Sequence, residues 1–73
     1  MFGLSEEKIA KWGEKGKTAK LLKAAGTRKE NLRMAVIKAM GNVKDEQVYN
    51  TLITFLRDRN PEIRMLAMEA LKQ

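Results

Sequence analysis

The charged residues of this chain recur at spacings that suit contact with an anionic surface. Lys8, Lys11 and Lys15 follow the i, i+3, i+7 spacing that puts side chains on one face of a helix. Lys17, Lys20 and Lys23 continue the series. These six lysines predict a basic strip that could neutralise phosphates on DNA or RNA or lie on an anionic membrane. The alternative is that the strip is the solvated face of a soluble helix.

Few features support a nucleic-acid or membrane partner beyond those lysines. The aromatic residues are Phe2, Trp12, Tyr49 and Phe55, and no Gly-rich phosphate loop accompanies them. Phe2, Leu4, Ile9 and Trp12 could form a membrane-surface helix, but a helix that covers the end of a fold needs the same apolar residues. A membrane partner is therefore disfavoured, and nucleic acid remains an alternative.

Catalysis and metal binding are disfavoured by composition. The 73 residues include no His and no Cys, so the commonest general base and the usual thiolate ligands are missing. The nine carboxylates fall in helix first turns, connections and exposed faces. We therefore expect no catalytic residue, metal or cofactor, and we leave open an accessory role in a larger assembly. The lack of Cys fits a reducing compartment, which predicts a cytoplasmic location. The formal net charge of +6 makes this a basic protein.

The chain contains an internal repeat with a period of 31 residues. Shifting by that period lays residues 17–41 on residues 48–72 without a gap. The identities include Leu21/Leu52, Arg28/Arg59, Arg33/Arg64, Met34/Met65 and Ala39/Ala70. The breaks between helices also fall in register, which chance explains poorly. We divide the single domain 1–73 into an N-terminal cap helix, 1–16, a first repeat, 17–41, and a second repeat, 42–73.

Each repeat is predicted to be a pair of helices. In the second, Asp45 and Asn60 are good N-cap residues, and Pro61 suits the first helical position. In the first, Gly26 stops one helix, and Thr27 with Glu30 has the spacing of a capping box for the next. Gly41 is predicted to end that helix. For the cap segment, Ser5 is the predicted start and Gly13 and Gly16 the predicted stop.

These patterns resemble the HEAT-repeat family. Residues 41–71, with Asn60-Pro61-Glu62-Ile63-Arg64 and the spacing Ala67-x-x-Ala70-Leu71, are similar to one full repeat of the phycobilisome-lyase-like subtype. The first repeat is a weaker copy. The resemblance implies an all-α fold, a short right-handed α-solenoid of two HEAT-like helix pairs preceded by an N-terminal capping helix. It also implies that the first helices lie on a convex side and the second helices line a concave side.

The resemblance also implies a scaffold for protein partners, which makes the second helices the candidate binding surface. Arg33 and Arg64 occupy equivalent positions, and the resemblance implies that each pairs with an acidic residue of a helix connection, with Asp45 and Asp58 as candidates. The alternative is a partner-binding arginine row. Because the buried stripe occupies the other face, four residues are predicted to form an apolar row on the concave side, Met34, Ile37, Met65 and Met68. The alternative for this row is ordinary core between repeats.

The favoured function is therefore a protein-interaction scaffold that binds a partner on the concave face. The predicted site is the apolar row flanked by Arg33, Lys38, Arg64 and Glu69. The main alternative is a nucleic-acid or ribosome-associated protein that uses the lysine strip. A third hypothesis is a designed or truncated repeat without an evolved ligand. No closing helix follows the second unit before Gln73. Hence we expect either a piece of a longer repeat array or self-association or partner stacking at the C-terminal edge.

Overall fold

A computed structural model describes residues 3–73, and Met1 and Phe2, at the start of the predicted cap segment, lie outside this range. The described residues form five α-helices and no strand. The helices are α1 (Glu6–Glu14), α2 (Thr18–Ala24), α3 (Glu30–Met40), α4 (Glu46–Phe55) and α5 (Pro61–Leu71). This all-helical arrangement, a capping helix followed by two helix pairs, is the short α-solenoid that the sequence predicted.

Three helix starts follow directly from the predicted capping residues. The Ser5 and Asp45 side chains accept hydrogen bonds from the backbone N–H groups of Lys8 and Val48, each at 3.1 Å. Asn60 accepts from the N–H of Glu62 at 2.8 Å, and Pro61 is the first residue of α5. Each bond satisfies a backbone donor that the first helical turn leaves unpaired. The N-cap predictions for α1, α4 and α5 are confirmed.

The capping box predicted for α3 does not form. The N-cap of α3 is Lys29, which provides no side-chain cap. Thr27 lies two residues earlier, and its hydroxyl accepts from the backbone N–H of Lys29 at 3.3 Å. Asp58, the repeat equivalent of Thr27, accepts from the N–H of Asn60 at 2.9 Å in the same way. Thr27 therefore stabilises the turn before α3 and does not cap the helix. At the N-cap position, α3 has Lys29 where α5 has Asn60.

The helices form two layers. One layer contains α1, α3 and α5 side by side, and the other contains α2 and α4. The apolar stripes of both layers meet in one core. Its largest fully buried side chains are Ile9, Leu21, Val36, Ile37, Met40, Val48, Leu52 and Ile63. Every helix contributes to this set, so burial of apolar surface couples the cap helix and both repeats in one stable unit.

Small residues set the close spacing inside the α1–α3–α5 layer. A Cβ on Gly13 would lie 2.8 Å from the Cβ of Ala39, and a Cβ on Gly41 would lie 3.4 Å from the Cβ of Ala70. Gly13 is a buried residue inside α1, so the prediction that it helps to stop the helix is wrong. Gly16, with φ of 64°, is the residue that turns the chain after α1.

Candidate interaction surfaces

The two equivalent arginines hold the turns between the helices of their repeats. The Nη1 of Arg33 donates to the carbonyl of Arg28 at 3.1 Å, and the Nη1 of Arg64 donates to the carbonyl of Arg59, also at 3.1 Å. A second bond joins Arg64 to the carbonyl of Asp58 at 2.7 Å. Both arginines therefore satisfy carbonyl groups that the turn leaves without a helical partner.

Only one arginine of this pair has a carboxylate from the neighbouring repeat. Arg33 lies 3.6 Å from the carboxylate of Asp58, and both side chains are largely buried. The Arg33 guanidinium also lies 3.9 Å from Glu30. Asp45, the other predicted acidic partner, caps α4 instead. The predicted ion pair is therefore present between Arg33 and Asp58, while Arg64 pairs with carbonyl oxygens.

The four residues of the predicted apolar row differ in exposure. Ile37 is fully buried, so the prediction that it is exposed on the concave side is wrong. Met34 is half-buried. Met65 and Met68 are exposed, at 60% and 50%. Helical periodicity identifies residues that share a face, but it does not show which neighbouring helix covers them.

The cover over Ile37 comes from the side of α3 that faces α5. Gly41 contacts Ala70 of α5, and Ile37 lies one turn before Gly41 on the same face of α3. Met68 is the repeat equivalent of Ile37, so it lies on the corresponding side of α5, where no described helix follows. Ile37 and Met68 are therefore stacking positions between repeats, and one of them is uncovered.

Met34 and Met65 belong to the outer side of the α1–α3–α5 layer, which we call the three-helix face. Met34 lines a groove of about 380 Å³ between α1 and α3, together with Ala10 and Lys38. A hydrogen bond of 3.2 Å from the Asn31 amide to Glu6 links the two helices there. On α5 the equivalents of Met34 and Lys38 are Met65 and Glu69. Each repeat therefore contributes one methionine and one neighbouring charged residue to this face. The charge is positive in the first repeat and negative in the second.

The lysines of the predicted basic strip are all exposed. They are Lys8, Lys11, Lys15, Lys17, Lys20 and Lys23. The ammonium group of Lys20 lies 5.6 Å from the centroid of the Trp12 ring, a cation–π distance. Trp12, Leu4 and Ala24 line a shallow apolar pocket whose other lining residues are Lys20 and Lys23. The sequence did not predict this pocket, because Leu4, Trp12 and Ala24 come from separate parts of the chain and meet only through the packing of α1 on α2.

Within residues 3–73 no group of three or more acidic side chains is arranged to hold a metal ion. In the same range, no helix has the length and apolar character needed to cross a bilayer. The three-helix face and the lysine strip are therefore the candidate sites that the predicted residues form.

The family assignment follows from a comparison with family models. The model described as HEAT repeats matches residues 7–73, which is nearly the whole chain. The chain belongs to the HEAT-repeat family. HEAT repeats generally serve as protein-interaction scaffolds and are typically not enzymes. No curated protein and no solved structure matches this HEAT-repeat chain. The phycobilisome-lyase-like subtype stays a prediction.

Proposed function

We propose that this chain binds a protein partner on the three-helix face, through Met34 and Met65 flanked by Lys38 and Glu69. The observation that carries the proposal is Met65, the most exposed large apolar side chain of the described residues. Its equivalent in the first repeat, Met34, is half-buried. An exposed apolar side chain such as that of Met65 favours contact with another protein. Methionine adapts its shape to irregular partners because it is unbranched and flexible.

The charges of the three-helix face indicate what such a partner carries. Lys38 and Glu69 are exposed and occupy equivalent positions on α3 and α5. A partner helix laid across these two helices would place an acidic residue near Lys38 and a basic residue near Glu69. Arg33 is excluded from this surface because its guanidinium is already used within the chain. The lack of Cys supports a cytoplasmic location as part of the same proposal.

Affinity capture with matched variants tests this proposal. The tagged chain, its Met65→Glu variant and its Ile53→Glu control are incubated with lysate, with and without nuclease, and washed at low and high salt. Ile53 is 50% exposed on α4, in the other layer, so its variant adds the same charge elsewhere. We expect one protein to be retained by the parent and the control through nuclease and high salt, and to be lost from Met65→Glu. Circular dichroism verifies that all three chains are equally helical.

A specific observation favours nucleic acid as the second candidate. Trp12 lies beside Lys20 and Lys23 in the apolar pocket, and an aromatic ring next to cations suits base stacking with phosphate contact. Trp12 is the only tryptophan, so its fluorescence reports binding of a single-stranded oligonucleotide. Quenching that weakens steeply with salt and is lost in Lys20→Ala would support this function. Captured material that disappears with nuclease would also favour it over protein binding.

A further inference from the structure

Two equivalent arginines lie on neighbouring turns of the molecule. Arg28 belongs to the turn between α2 and α3, and Arg59, its repeat equivalent, belongs to the turn between α4 and α5. Both side chains are exposed. Within residues 3–73 no carboxylate forms an ion pair with either of them. Each arginine therefore has a guanidinium group that is available to a ligand.

The backbone is held in the same way at both positions. The carbonyl of Arg28 accepts from Nη1 of Arg33, and the carbonyl of Arg59 accepts from Nη1 of Arg64, each at 3.1 Å. These bonds use the backbone atoms of Arg28 and Arg59 and leave their guanidinium groups without a part in the turn. Substitution of either side chain should therefore leave the turn in place.

Arg28 and Arg59 line one polar cleft of about 730 Å³, together with Arg33, Glu30 and Asp58. The Nη2 atom of Arg33 lies 3.6 Å from Asp58 and 3.9 Å from Glu30, and both distances are longer than a hydrogen bond. These two carboxylates offset positive charge at Arg33 but do not pair with the other two arginines. Three guanidinium groups face two carboxylates, so the cleft is net positive.

Such a cleft suits a phosphate monoester better than a carboxylate or a nucleic acid. A phosphorylated side chain has a charge of about −1.5 to −2 and three strong acceptor oxygens, so it can receive N–H donors from two guanidinium groups at once. A carboxylate has one charge and two oxygens, which a single guanidinium satisfies. A nucleic acid presents a row of singly charged phosphodiesters, which an open strip of cations matches better than a cleft that contains carboxylates.

We propose that this cleft binds the phosphate group of a phosphorylated serine or threonine in a partner protein, with Arg28 and Arg59 as its ligands. Arg33 adds positive charge from a largely buried position, and Glu30 weakens the attraction. The cleft contains none of the four residues proposed for the three-helix face. The proposal therefore goes beyond the function proposed above and can fail independently of it.

Titration of the nitrogen-15-labelled chain with N-acetyl-O-phosphoserine amide tests the proposal, with the arginine Nε–Hε signals observed by NMR. We expect the signals of Arg28 and Arg59 to shift until the cleft is saturated, and the signal of Arg57 to stay in place. Arg57 is exposed in the same turn as Arg59 but does not line the cleft, so it reports non-specific attraction. N-acetylglutamate amide and a single-stranded oligonucleotide without a terminal phosphate are the comparison ligands. Both should bind the cleft at least about tenfold more weakly.

Matched substitutions separate the cleft from the general positive charge of the chain. Arg28→Gln and Arg59→Gln should each weaken phosphoserine binding by about tenfold, whereas Arg57→Gln should leave it unchanged. Glu30→Gln should strengthen binding, because it removes a negative charge from the cleft. Circular dichroism verifies that the four variants are as helical as the parent. Equal weakening by Arg57→Gln and Arg28→Gln overturns the proposal, and so does binding of the glutamate or oligonucleotide ligand as tight as that of phosphoserine.

Discussion

Asp58 of the second repeat forms the ion pair with Arg33 of the first repeat. Its carboxylate accepts from the N–H of Asn60 and lies 3.6 Å from Arg33, while its carbonyl accepts from Arg64. The side chain of Thr27, the equivalent residue of the first repeat, makes the turn bond and no ion pair. The helix before the first repeat explains the difference. Gly13 aligns with Gly41 at a spacing of 28 residues, and the same spacing aligns Ser5 with Arg33, so no arginine faces Thr27.

We predict that Arg33→Gln costs more stability than Arg64→Gln. Removing the Arg33 guanidinium leaves Asp58 without its cation and the Arg28 carbonyl without its donor, which should lower the free energy of unfolding by about 1–2 kcal/mol. Arg64 is exposed, so its loss should cost about 0.5 kcal/mol. Urea denaturation of the two variants and the parent measures both values. Equal losses would show that the Arg33–Asp58 pair adds nothing to the carbonyl bonds.

Helix ends were predictable where a local side chain decides them. Ser5, Asp45 and Asn60 each cap the helix that follows, because a cap needs only a few neighbouring residues. Thr27 was misassigned because its spacing to Glu30 fits a capping box, although the 31-residue repeat equates it with Asp58. Gly13 was misassigned because a glycine that stops a helix and one that admits a neighbouring helix are identical in sequence.

Close packing of α1 on α3 predicts an unusual response to alanine. Gly13→Ala would stabilise an isolated helix by about 1 kcal/mol. Here the new methyl group lies 2.8 Å from the Cβ and 3.0 Å from the backbone of Ala39, so we expect a net loss of about 1–3 kcal/mol. Thermal unfolding followed by circular dichroism measures the change.

Two further variants serve as controls for that prediction. In Gly26→Ala the nearest atom to the new methyl group is the Lys23 carbonyl oxygen at 3.7 Å, an ordinary contact, so stability should stay the same or rise slightly. Ala39→Gly should partly restore the stability of Gly13→Ala by removing one of the crowded methyl groups. A stabilised Gly13→Ala chain would contradict the close packing of α1 on α3 at Gly13 and Ala39.

At the scale of the whole molecule, the sequence predicted the helices better than the exposure of their side chains. The 31-residue period and the apolar spacing were sufficient for the helix pairs and for the family. They were insufficient for Ile37 and Met68, which are equivalent in sequence but differ in exposure because, within residues 3–73, a repeat follows Ile37 and none follows Met68. Exposure in a repeat protein depends on the neighbouring unit, so it cannot be read from one unit alone.

The uneven capping of the helices predicts the order in which the chain folds. Within residues 3–73, α4 and α5 have side-chain caps, whereas α2, with seven residues, and α3 have none. The α4–α5 hairpin is also local in sequence, so it should nucleate folding at a low entropic cost. Substitutions such as Leu52→Ala should slow folding, whereas Leu21→Ala should mainly speed unfolding, as stopped-flow kinetics would measure. The reverse pattern would place the nucleus in the first repeat. Because α4 and α5 follow α1, α2 and α3 in the chain, a ribosome releases the first three helices before the nucleating hairpin, so those helices wait in an unfolded state until α4 and α5 emerge.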